Sequence, residues 1–128
     1  MNAVIERLPE PSQVGLSEVA HFKLESLVAQ KHFEEMRDGF RFAVAYALAR
    51  EPNPPRVDGS RKTIFSVSTL DSDQYLRLAV ECVRQDSEEP TYRLIERLAD
   101  WGIVQIAKRI EEDFESVADV LSEILGEA

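Results

Sequence analysis

The chain has 128 residues, 44% of them apolar and 30% charged, with a formal net charge of −9. That length fits one domain able to fold without disulfides or metal, and the apolar fraction excludes a disordered chain. The negative balance works against non-specific binding to nucleic acid, a single cysteine excludes an internal disulfide, and no apolar run approaches the about 18 residues needed to cross a bilayer.

Residues 1–14 carry Pro9 and Pro11 and show little apolar periodicity, so they read as a flexible tail, with 15–128 as one helical domain. The N-terminus lacks a basic start followed by an apolar run, which argues against a signal peptide and for the cytoplasm. Ser17 is a good N-cap with Glu18 in the first turn. Leu16, Ala20, Leu24, Leu27 and Val28 then recur at helical spacing.

A second helix is expected from about Glu34 to Arg50. Its stripe is Met36, Phe40, Ala43, Val44, Ala47 and Leu48. Phe42, Ala45 and Tyr46 lie off that stripe, so its second half is apolar nearly all round and belongs in the centre of the core. Gly39 inside it costs about 1 kcal/mol relative to Ala, which close packing against a neighbour would explain.

Residues 51–61 form a loop, with three prolines and Asp58-Gly59. Residues 62–69 are rich in β-branched and aromatic side chains and read as a short strand. A single strand needs a partner, either the 51–60 loop or a second copy of the chain. Asp71 with Gln74 suggests a variant capping box for a third helix ending near Gln85. Leu76, Ala79, Val80 and Val83 should face inward, and Cys82 reads as a small buried hydrophobe. Ser87–Pro90 is a turn. Pro90 then suits the start of a fourth helix through Ile110, which is broadly apolar and central.

The last helix covers about Ser116 to Leu125, with Val117, Leu121, Ile124 and Leu125 as its stripe, Ser116 and Asp119 at its start and Gly126 as its stop. The fold expected is mainly α, a compact bundle of about five helices with one short β element near residues 62–69.

Residues for chemistry are sparse. His21, His32 and Cys82 do not form a zinc set. Glu18-Val-Ala-His21 matches the Glu-x-x-His unit of di-iron bundles, but His32 has Ala29 where its glutamate should stand. Asp71 and Asp73 read as caps. The five glycines are scattered singly, so no phosphate loop is spelled out. Neither a metal site, a cofactor nor a catalytic residue is expected, and the protein reads as a non-enzyme.

Charge is more informative. Residues 111–128 hold seven carboxylates and no Lys or Arg. Within them Glu111, Glu112, Asp113, Glu115 and Asp119 are the candidate surface for a basic protein partner. Arg56, Arg61 and Lys62 lie in a net-positive stretch and are candidate phosphate or DNA contacts. They serve the alternative reading, a dimeric regulator of ribbon-helix-helix type. In that reading the 62–69 strand pairs across a dimer and enters the major groove with Lys62, Ser66 and Ser68 outward.

Two segments carry a family likeness. Phe40-Arg-Phe-Ala-Val-Ala-Tyr-Ala-Leu48 and Ile95-Glu-Arg-Leu-Ala-Asp-Trp-Gly-Ile103, with an Arg- and Pro-bearing loop and a strand-like segment between them, resemble small bacterial accessory proteins. Those proteins are associated with DNA phosphorothioation (Dnd) gene clusters. The resemblance spans about residues 20–125 and departs from the family pattern at Leu98-Ala99 and Trp101-Gly102. It implies an accessory component of a DNA modification–restriction or phage-defence complex and transfers no catalytic residue.

Overall fold

A computed structural model describes residues 9–56, 59–84 and 88–126. In chain order these form β1 (Gln13–Ser17), α1 (Glu18–Ala29), α2 (Met36–Arg50), β2 (Arg61–Ser66), α3 (Val67–Leu70), α4 (Tyr75–Val83), α5 (Thr91–Glu111) and α6 (Val117–Ile124). The expected character, mainly helical with a short β element, is what the chain adopts. The additional helix is the single turn α3. Ser66 ends the strand by capping that turn, accepting the Thr69 N–H at 3.2 Å. Residues 67–69, expected as strand, are therefore helical.

Helices α2 and α5 form the centre. A Cβ at Gly102 would collide with the Ala43 carbonyl oxygen, so the two helices approach backbone to backbone. Phe40, Val44, Leu98, Ile103 and Ile106 fill the space around this crossing and are buried. Phe40 also meets Phe65 edge-to-face at 5.6 Å, which ties β2 to α2. At Gly39 a Cβ would lie 2.6 Å from Leu24 Cδ1, so this glycine lets α1 pack close.

The strand at 61–66 does find a partner, but not the loop or second copy expected. It pairs antiparallel with β1, with an irregularity at Val14/Gly15. The segment expected as a tail is thus partly folded. Residues 1–8 lie outside the described residues, but Val14 is buried and Glu10 accepts the N–H groups of Thr91 and Tyr92 at 2.8 and 2.9 Å. Pro90, the N-cap of α5, has no side-chain acceptor. Glu10 supplies one and adds negative charge at a helix N-terminus.

The outer edge of β1 rests on α5 rather than on a third strand. Glu96 accepts the Gly15 N–H at 2.7 Å, and Asp100 accepts the Ser17 N–H at 2.7 Å and its hydroxyl at 3.1 Å. Two strand residues advance about 6.6 Å and four helical residues about 6 Å, so carboxylates at i and i+4 match alternate strand amides.

Three further expectations are corrected. Asp71, not an Asp71–Gln74 box, caps α4. Its carboxylate accepts the Leu76 and Arg77 N–H groups, each at 3.0 Å, while Gln74 is left-handed at φ 61°. Ala79, Cys82 and Val83 are exposed, because this short helix turns only Leu76 and Val80 inward. In α6 the inward residue is Val120, flanked by partly buried Val117 and Ile124, while Leu121 and Leu125 are exposed. Arg50 and Arg109 both pair with Glu123 and fix that rotation. Asp58, Gln85 and Ser87, expected in loop, helix end and turn, lie outside the described residues.

Candidate functional site

The corner between α5 and α6 collects the acidic residues. Helix α5 ends at Glu111. The chain turns through Glu112, Asp113 and Phe114, and α6 begins after a capping box in which Ser116 and Asp119 bond each other's backbone N–H. The five acidic candidates divide into two groups. Glu111, Glu112 and Asp113 are exposed. Half-buried Glu115 and exposed Asp119 are instead engaged by hydrogen bonds within the chain. Arg109 donates to both oxygens of Glu115, at 2.6 and 2.8 Å, and holds its carboxyl below the usual carboxylate range. The Asp119 carboxyl is likewise lowered, first by the Ser116 N–H and then by its hydroxyl.

Arg109 is the hub behind this corner. Its guanidinium also pairs with Glu123 and stands 5.8 Å above the Tyr46 ring, which stacks on Trp101 at 5.9 Å. Among the described residues no ion pair joins Arg109 to the carboxylates of 111–113. The corner also presents one apolar residue outward. Phe114 is 89% exposed and left-handed at φ 56°. A bulky side chain in that region is strained by about 1–2 kcal/mol. A Gly or Asn would close the turn without the strain.

The basic candidates are split between surfaces. Arg56 is exposed and lines a groove with Pro55, Arg97 and Trp101. Lys62 is exposed on β2 and lines another with His21, Phe22 and Arg61. Arg61 reaches Glu96. Glu96 is only 1% exposed and also accepts from Arg93 at 2.9 Å. No local sequence pattern marks this triad, because Arg61 and Glu96 are 35 positions apart.

For the ribbon-helix-helix alternative, β2 already has an intramolecular partner in β1, and Ser68 lies in α3. That geometry differs from a ribbon shared between two copies. His21 contacts Glu25 at 3.0 Å rather than the Glu18 of its sequence motif. Among the described residues no group of three or more His, Cys, Asp or Glu could hold a metal ion, and no helix is long and apolar enough to cross a membrane. Helix α4 turns Tyr75, Leu78, Ala79, Cys82 and Val83 to solvent as a second apolar surface.

No family model, characterised protein sequence or solved structure matches this chain.

Proposed function

We propose that this chain is a non-enzymatic interaction module that docks its α5–α6 corner onto a basic protein partner. The observation that carries the reading is Phe114. An aromatic side chain kept strained and solvent-exposed loses stability and gains no packing within the fold, whereas buried aromatics anchor interfaces. The exposed carboxylates of Glu111, Glu112 and Asp113 set the sign of the surface that would meet it. A partner of complementary charge gains both encounter rate and register.

The partner fitted by this corner has an apolar pocket rimmed with Lys or Arg. Proteins that hold DNA carry such basic surfaces. The likeness to accessory proteins of DNA phosphorothioation clusters makes a DNA modification–restriction complex the first place to look. On the same reading the protein works in the cytoplasm, whose reducing poise suits the exposed free thiol of Cys82.

The test compares the wild-type chain with a variant carrying Phe114→Ser and serine at positions 111–113. Both are tagged, shown to be folded by circular dichroism, and purified from the native host after nuclease treatment. A basic protein recovered with the wild type and lost with the variant supports the reading. Identical recovery with both chains sinks it.

A further inference from the structure

Arg61 comes from β2 and Arg93 from the first turn of α5, yet both place a terminal nitrogen on the same oxygen of Glu96. The other Glu96 oxygen accepts the Gly15 N–H at 2.7 Å. One buried carboxylate therefore fixes two guanidinium groups. A single arginine would neutralise it, so the second leaves the cluster positive within a chain of net charge −9.

Neither arginine is spent by this contact. Their side chains stay 39% and 37% exposed. A guanidinium has five N–H donors, and Glu96 takes up one nitrogen of each. Both arginines line a shallow polar groove of about 420 Å³, together with Ser12, Gln13 and Thr63. Among the described residues Glu96 is the only carboxylate lining that groove.

We propose that this groove binds a phosphate group. A guanidinium fork matches the oxygens of a phosphate, and the higher charge of a phosphate suits a pair of arginines of which Glu96 neutralises one. A phosphate group offers two to four terminal oxygens, each able to accept more than one N–H, and can engage both. Glu96 orients the two forks before the ligand arrives, which lowers the ordering cost of binding. This inference is independent of the α5–α6 corner, which lies on other residues.

Inorganic phosphate is the first probe, titrated into the ¹⁵N-labelled full-length chain and followed by NMR. A saturable shift of the Gly15 and Thr63 amides is expected, and the Arg56→Gln chain should reproduce it. Arg93→Gln should weaken binding at least about tenfold. Arg93→Lys, which keeps the charge and removes the fork, provides a second variant should the first fail to fold, and it too should bind more weakly. A short DNA duplex added as competitor identifies the source of the phosphate. Displacement points to a nucleic-acid backbone, and persistence of the phosphate signal points to a small phosphate ligand. Absence of a saturable shift, or affinity unchanged in both Arg93 variants, overturns the proposal.

Discussion

Arg109 holds Glu115 twice over. Its guanidinium donates to both carboxylate oxygens at 2.6 and 2.8 Å, and its backbone carbonyl accepts the Glu115 N–H at 3.0 Å. The reversal of the chain between α5 and α6 is thus closed by backbone and side chain of one residue pair. The Glu115 carboxyl is lowered by this contact, so its contribution to stability is present above the unfolded carboxylate pKa and lost as pH falls through the folded value. Urea unfolding followed from about pH 7 to about pH 3 should show stability falling in acid, with a shallower fall in Glu115→Gln. Identical acid limbs in the two chains would refute the assignment.

The buried pair Tyr92–Asp71 gives the opposite sign. Burial, followed by the 2.7 Å hydrogen bond to Asp71, raises the Tyr92 phenol above its ordinary range. Its stabilising contribution is complete below the unfolded phenol value of about 10 and is lost as pH rises beyond it. Tyr92→Phe should cost about 1–3 kcal/mol at neutral pH by removing a donor from a buried carboxylate. It should also flatten the alkaline limb of stability against pH. Chemical denaturation at neutral and alkaline pH reads both effects.

Phe114→Asn separates stability from docking. Asn tolerates the left-handed region, so the variant should gain about 0.5–1 kcal/mol in urea unfolding. On the proposed function it should also lose its partner. A variant that is destabilised would show that Phe114 packs within the fold, contrary to its exposure.

Two glycines in helices should respond differently to alanine. At Gly102 the added methyl would meet the Ala43 backbone, which cannot move without separating α2 from α5. Gly102→Ala should therefore cost about 2–3 kcal/mol despite the higher helix propensity of alanine. At Gly39 the nearest atom is the end of the Leu24 side chain, which can rotate away. Gly39→Ala should lie within about 1 kcal/mol of wild type. Thermal unfolding of the pair checks the ranking, and equal losses would contradict the crossing geometry.

Cys82 should react with a thiol reagent under native conditions at the rate of a free thiol, since it is exposed on α4. Protection until unfolding would mean that the outward face of α4 is covered.

Much of the fold was legible because it rests on local signals. Ser17 and Ser116 act as N-caps where the sequence places them, and Ala43, Val44, Tyr46 and Ala47 of α2 do lie in the core, although Ala45 is exposed. Strand β1 is hard to read from sequence for a physical reason. Pro9 and Pro11 exclude a helix but not extended chain, and Val14 and Leu16 alternate around Gly15 over too few residues to stand out. The faces of α4 and α6 are ambiguous in the sequence because both helices carry apolar residues on more than one side. Arg50, Arg109 and Glu123, distant in sequence, set the rotation of α6. The acidic corner was visible as composition, but the separation of its free carboxylates from those engaged by Arg109 and Ser116 depends on tertiary contacts.

The capture of β1 by Glu96 and Asp100 has a kinetic consequence. Those hydrogen bonds join residues 81 and 83 positions apart. Closing so long a loop is slow compared with forming a helix turn, because its entropy is lost before the contact repays it. Helices α1 and α2 can consolidate early, while the strand edge waits for α5. The Gly15 and Ser17 amides then become the chain's own clock for completed folding. Their hydrogen exchange closes last as the protein folds, and at equilibrium it reports opening of the whole molecule rather than fraying of one end.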